Sequence, residues 1–360
     1  GGGSATSALA FGAEPASALT EQWNGTNWTE VADLSQARFE LMGSGTNNAY
    51  GGGIFAAGGA FSPPYANLTV TEEWTGSGAP IGAWSTGGSI NDGRSIMGAA
   101  GTGSTAGLIF GGSPPPTANT ESYNGTNWTE VNNLTTARHA LAGAGTETAA
   151  LAFGGAPAPN SALTETWNGT NWTEVNDLNS GRNSLGGCGA TNTAALGAGG
   201  YTPSLTGNTE LWNGTNWTEV NNINTSRSYL AMAGTSTSAI GAGGGPGTKN
   251  ETEIWNGTNW TETNNLNTSR YFLSGTGVDS TDAIVFGGLT PSPSATTELW
   301  TGNSWTEVAD LSTARGALGA SGASTTAALA VGGEDATTSA LTATEEWSGS
   351  TTNTETVDTD

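Results

Sequence analysis

Short runs of small or alternating apolar residues punctuate this chain, separated by clusters of Gly, Asn, Thr and Pro, and no helical period competes with them. Residues 138–178 show the pattern most cleanly. Residues 138–145, small apart from Arg138, His139 and Leu141, predict a first short strand. Residues 147–153, ending in Leu151 and Phe153, predict a second, stopped by Gly154 and Gly155. A Pro-rich loop over 156–161 leads to a third strand at 163–167, where Leu163, Glu165 and Trp167 alternate with threonines. Asn168-Gly169 predicts a type I′ turn, which needs positive φ at both central residues. Residues 171–175, carrying Trp172 and Val175, complete the set as a fourth strand.

The same pattern recurs along the chain. Its second Trp falls at Trp28, Trp84, Trp128, Trp172, Trp217, Trp260 and Trp305, and an arginine follows each ten residues later, at Arg38, Arg94, Arg138, Arg182, Arg227, Arg270 and Arg315. The first Trp falls at Trp23, Trp74, Trp167, Trp212, Trp255, Trp300 and Trp347, with Tyr123 in the remaining slot. A period of roughly 45 residues marks a repeat architecture, and four antiparallel strands per repeat make one propeller blade. The small first strand suits the crowded axis, and the Trp pair suits the wedge between blades. The units run approximately 1–34, 35–90, 91–134, 135–178, 179–223, 224–266, 267–311 and 312–360. The expectation is therefore one all-β domain over 1–360, an eight-bladed propeller of four-stranded antiparallel blades. Seven blades, with one terminus completing the other's blade, is the alternative. Trp74 and Trp84 stand ten apart rather than five, which reads as a hairpin widened by a loop over 76–82.

The glycine pairs Gly58-Gly59, Gly111-Gly112, Gly154-Gly155, Gly199-Gly200, Gly243-Gly244, Gly287-Gly288 and Gly332-Gly333 complete a motif that resembles the kelch repeat. That family carries a double glycine after the second strand, an aromatic in the third, a Trp in the fourth and an Arg before the next first strand. The resemblance spans essentially the whole chain. The wording around Trp217 and Arg227 is also similar to kelch-type repeat proteins encoded by marine tailed bacteriophages, which implies a virion protein. Galactose oxidases of the kelch-like group use a copper site with two histidines, and this chain has only His139, so that site does not carry over.

Composition narrows the function classes. Charged residues are 11% and the net charge is −23, which disfavours nucleic acid. No apolar run approaches the ~20 residues of a membrane-spanning helix. Cys188 is alone, which leaves no internal disulfide, and it reads as a buried thiol among small residues. His and Cys clusters with metal spacing are absent from the sequence, so no metal and no cofactor is expected. The pairs Glu72-Glu73, Glu345-Glu346 and Glu334-Asp335 read as solvated loop carboxylates rather than a glycosidase pair. Asn-x-Thr triplets such as Asn24-Gly-Thr26 read as turn and strand chemistry before glycosylation.

Two sets of residues remain. An arginine stands in every unit after the first, so a task shared by the units explains them best: pairing with a repeat glutamate such as Glu165 or Glu174, or capping loop carbonyls. The competing reading is a ring of cations awaiting an anion. The loop after each glycine pair, by contrast, changes from unit to unit, and variable loops on a rigid scaffold are where binding resides. The candidate ligand-binding residues are Phe61, Tyr65, Pro115, Pro157, Tyr201, Lys249, Pro291, Glu334 and Asp335, with Phe61, Tyr65 and Tyr201 able to stack on sugars. The expected function is a non-enzymatic structural or interaction protein, a phage virion component (fibre, tail or capsid decoration) or an extracellular protein. Its partners are another virion or extracellular protein or a host surface glycan, without nucleic acid or membrane insertion. A secreted or cell-surface adhesion glycoprotein is the alternative, and a carbohydrate-active propeller enzyme a remote one.

Overall fold

A computed structural model describes residues 2–4, 7–11, 17–23, 28–30, 42–44, 54–57, 71–75, 82–156, 160–337, 339–349 and 356–359. The chain divides into two compact units, Gly1–Ile81 with Ser350–Asp360, and Gly82–Gly349. The first unit contains two four-stranded antiparallel sheets. One runs Gly2–Ser4, Ser7–Phe11, Thr20–Trp23, Trp28–Glu30; the other runs Met42–Ser44, Ile54–Ala57, Thr71–Thr75, Thr356–Thr359.

The second unit is a six-bladed β-propeller. Each blade follows one plan, shown by Ala142–Gly145, Ala150–Phe153, Thr164–Trp167 and Trp172–Val175, paired in that order. The inner strands Gly98–Gly103, Ala142–Gly145, Gly186–Thr191, Ala231–Gly234, Ser274–Asp279 and Gly319–Ser324 stand side by side around a central channel that all six line. They are small because they crowd one another: a Cβ on Gly143 would lie 2.2 Å from the Ala99 carbonyl oxygen of the next inner strand. Second strands are buried on both faces, as in Ala150–Phe153, because blades cover them on either side. Outer strands bury little beyond their Trp; Trp172 is inside, whereas Thr173 and Glu174 are exposed.

Six hydrophobic clusters fill the six wedges, each built from two adjacent blades. In one, Leu108 and Phe110 of the first blade meet Leu141, Trp167 and Trp172 of the second. The tryptophans add polar stitching. The outer-strand indole N–H donates to the first threonine of the third strand in the preceding blade: Trp172 to Thr120 (3.1 Å), Trp217 to Thr164 (3.0 Å), Trp260 to Thr209 (3.1 Å) and Trp305 to Thr252 (3.1 Å). Trp128 to Thr344 (2.9 Å) and Trp84 to Thr297 (3.1 Å) close the cycle across the seam.

The expectation of eight or seven blades is corrected by this closure. The sixth blade, Gly319–Ser324, Ala327–Val331 and Thr344–Ser348, takes its outer strand from Ala83–Gly87, near the start of the unit, with Trp347 opposite Trp84. Its inner strand then packs on that of the first blade, and the ring is complete. Trp74 and Trp84 therefore share no hairpin. Trp74 lies opposite Val357, and the segment between them carries the chain from one unit to the other. The hairpin after Trp167 also differs from a two-residue type I′ turn. Trp167 and Trp172 pair across a four-residue loop in which Gly169 has φ +88, Asn168 keeps negative φ, and the Asn168 Oδ1 accepts from the backbone N–H groups of Thr170 and Asn171. An Asx-type bond thus replaces the left-handed Asn.

Candidate functional site

The segment leading into each inner strand organises the face that carries the variable loops. In the second unit it reads Arg-x-x-Leu or, once, Arg-x-x-Met, and each position has a separate task. The arginine backbone serves the preceding blade: the Gly155 N–H donates to the Arg182 carbonyl (2.9 Å), and the Arg182 N–H donates to Ser161 O (3.1 Å). Its side chain serves its own blade. Arg182 Nη2 meets Glu210 Oε1 at 3.0 Å, and Nη1 donates to the carbonyls of Asn208 (2.6 Å) and Gly199 (3.2 Å). The other carboxylate oxygen of Glu210 accepts from the Asn179 backbone N–H (2.8 Å). The pairs Arg94–Glu121, Arg138–Glu165, Arg227–Glu253, Arg270–Glu298 and Arg315–Glu345 repeat this tie, with N···O distances of 2.8–3.1 Å. The partner is always the third-strand glutamate, Glu165 for Arg138, while Glu174 stays in solvent.

Burial lowers all six guanidinium pKa values from the ordinary arginine value, against the pull of each glutamate. Burial likewise raises the Glu121 carboxyl, against the Asn91 N–H and Arg94. The six guanidiniums are therefore committed inside the blades and offer no ring of charge to an anion. Glu345, expected in solvent, is the Arg315 partner, and Glu346 accepts the phenol O–H of Tyr123 across the seam. The one Tyr among the inward Trp positions thus lies where the ring closes, and the Gly88 N–H donates to its hydroxyl as well (3.2 Å).

The second position pairs by two backbone hydrogen bonds with the residue after the glycine pair, as His139 does with Ala156 and Asn183 with Tyr201. The third position is left-handed in all six blades: Ile96, Ala140, Ser184, Tyr229, Phe272 and Ala317 have φ between 45° and 56°. Each donates its N–H to the carbonyl of its counterpart in the preceding blade, and the six bonds form a closed ring of 2.7–3.2 Å links. Non-glycine residues at such φ are strained and persist only where the surroundings over-determine them. The glycine pair is required by the same crowding. Gly199 and Gly200 have φ +66 and +106, and a Cβ on either would fall 2.5–2.8 Å from a backbone carbonyl oxygen.

On this scaffold the side chains of the second and third positions and of the loop after the glycines stand together. Between the third, fourth and fifth blades they enclose a hollow of about 600 Å³ lined by Tyr201, Tyr229, Tyr271, Pro246, Pro291 and Leu205 among others. Tyr229 stacks on Phe272 with ring centroids 3.8 Å apart, and Phe272 also meets Tyr271 at 5.2 Å. Tyr201 is 44% exposed.

Of the residues singled out in the sequence, Tyr201 and Pro291 line this hollow. Lys249 follows the lining residue Thr248 and pairs with Glu251 at 3.4 Å. Pro115 is exposed in the first blade's loop, away from the hollow. Glu334 accepts from Ser95 Oγ at 2.5 Å across the seam. Asp335 accepts from the N–H and hydroxyl of Thr337, which lower its pKa. Phe61, Tyr65, Pro157 and Arg38 lie outside the described residues, and Trp28 lies in the first unit opposite Trp23. Tyr229 and Tyr271 were missed. Their signal is the changing pair between the fixed Arg and Leu, Ser228-Tyr229 and Tyr271-Phe272 against Gly316-Ala317.

His139 bridges to Ala156 through its backbone and has a buried Nδ1 without a partner among the described residues, and burial lowers its pKa. Burial pushes the Cys188 thiol up to about 12. Among the described residues no group of three His, Cys, Asp or Glu side chains is placed to hold a metal. No protein-family profile matches the chain, and no curated protein matches it.

Proposed function

We propose that the propeller is a non-enzymatic binding module that holds its partner, a surface glycan or another protein of an extracellular assembly, on the face carrying the second-to-third-strand loops. The observation that supports this most directly is the split within each repeat. Arg, Glu, both glycines and the outer Trp recur with the same ion pair and the same indole-to-threonine bond, while the two residues after each Arg and the loop after each glycine pair differ. In the third, fourth and fifth blades differing positions of both kinds come together to line one hollow, Tyr201, Tyr229 and Tyr271 among them. A fixed frame with variable apices is the arrangement expected of recognition. The lining of the hollow offers no carboxylate or imidazole for acid–base work.

The test is retention of the purified chain on whole bacterial cells, compared with a Tyr201→Ala/Tyr271→Ala variant and with Thr215→Ala on the opposite rim. Loss of retention at least tenfold in the first variant alone supports the reading. Equal retention of all three proteins refutes it. Membership of a phage particle rests on the wording of the repeats, and immunogold labelling of tailed particles with antibody to this chain tests it.

A further inference from the structure

We infer that the hollow between the third, fourth and fifth blades is a subsite for a neutral oligosaccharide of two to three rings. The inference rests on the proposal that this face is the binding face, and it names the ligand class. Three observations lead to it. The first is the wall chemistry. Tyr201, Tyr229 and Tyr271 line the hollow together with Pro246 and Pro291, and aromatic and proline surfaces receive the C–H faces of pyranose rings as they receive other apolar planes. The second is free hydrogen-bonding capacity. The phenol hydroxyls of these three tyrosines, and the hydroxyls of Ser228 and Thr248, have no partner among the described residues. A ligand that combines apolar faces with a belt of hydroxyls matches such a wall.

The third observation is charge. The chain carries −23, yet no carboxylate, ammonium or guanidinium lines the hollow. The cations that adjoin lining residues in sequence, Arg227, Lys249 and Arg270, are paired with Glu253, Glu251 and Glu298. An acidic sugar would meet the repulsion of the whole chain with no local cation to offset it. A quaternary ammonium would be attracted by that charge, but such ligands are held in close aromatic cages. Here the tyrosines share the lining with Pro246, Gly247 and Thr248 around some 600 Å³, room for more than one ring. A proline-rich peptide is the remaining competitor for an aromatic groove. The hollow is a short pocket bounded by three blades rather than a track along one edge, which favours a compact ligand.

The inference is tested by calorimetric titration of the full chain with maltotetraose, cellotetraose and mannotetraose, and with tetragalacturonate, choline and a proline-rich decapeptide. Saturable binding of at least one neutral oligosaccharide, little changed between 50 mM and 500 mM NaCl, is the expected result. Tyr201→Ala and Tyr271→Ala should each weaken it about tenfold or more, as buried aromatic anchors do, with melting unchanged. Tyr271→Phe should weaken it less than Tyr271→Ala. Binding of choline, the uronate or the peptide without any neutral sugar overturns the ligand class. So does failure of every neutral sugar at millimolar concentration. Sugar binding that survives both alanine variants overturns the placement. In all of these cases the binding-face proposal stands or falls separately, on whether the double variant loses retention on cells.

Discussion

Replacing Arg182 by Ala should be among the most damaging single changes in the propeller. The side chain is fully buried and makes the 3.0 Å contact to Glu210 together with hydrogen bonds to the Asn208 and Gly199 carbonyls. Alanine leaves the Glu210 carboxylate, 2% exposed in the intact fold, with Asn179 as its remaining hydrogen-bond partner among the described residues. Removing one partner of a buried pair costs about 3–5 kcal/mol, most of it the desolvated charge left behind. For a domain of this size, roughly 2–4 °C of melting temperature accompanies each kcal/mol, so a fall of about 6–20 °C is expected. The Arg182 Nε has no partner even in the intact tie. The pair is therefore imperfectly compensated, and removing both charges together should be far milder. An Arg182→Met/Glu210→Met variant should recover at least half of the loss in a calorimetric melt. A single variant melting within 1 °C of the native chain would refute the tie. A double variant as unstable as the sum of its parts would show that the carbonyl bonds, not the charge pair, carry it.

Other expectations follow from the same geometry. Gly200→Ala puts a Cβ 2.8 Å from the Asn183 carbonyl oxygen at φ +106 and should cost about 1–3 kcal/mol in urea unfolding, whereas Gly247→Ala, whose Cβ would meet nothing within 4 Å, should cost less despite φ +66. His139 has a lowered pKa in the fold, so the unfolded chain binds its proton first as pH falls through 6.5. Stability present above that pH should drain away below it, and His139→Asn should flatten the decline between pH 7.5 and 5 in urea midpoints. Cys188 should resist iodoacetamide at pH 8 and label readily in urea. Above pH 9 its unfolded thiol ionises while the folded one, at about 12, does not, so its contribution favours unfolding there. Native labelling as fast as unfolded labelling would contradict its burial.

Much of a blade could be read from the chain because its determinants are local. Phe153 before a glycine pair, the alternation through Trp167 and the Asn168-Gly169 turn each act within a few residues. Blade number is not local. It depends on the angle at which wedges such as Phe110 against Trp172 pack, and on which outer strand closes the ring. The repeat wording runs on through both compact units, so counting it could not reveal that Trp84 faces Trp347 and not Trp74. The hollow was half legible for a related reason. Tyr201 and Pro291 stand in loops whose variation is visible, whereas Tyr229 and Tyr271 sit inside the Arg-x-x-Leu frame, between two residues whose constancy draws attention to structure.

The six-bladed ring rests on the pairing of Ala83–Gly87 with Thr344–Ser348, in which Ser85 lies opposite Glu346. The most direct test is a Ser85→Cys/Glu346→Cys chain in a Cys188→Ser background, oxidised mildly as a dilute monomer. Facing positions of an antiparallel pair stand about 4.5–5.5 Å apart at Cα, within disulfide reach. The closure predicts rapid intramolecular crosslinking, seen as a mobility shift that reducing agent reverses, with binding on the variable face retained. Free thiols after oxidation, with a crosslink forming instead between cysteines placed at Trp74 and Trp84, would contradict it and restore the consecutive hairpin.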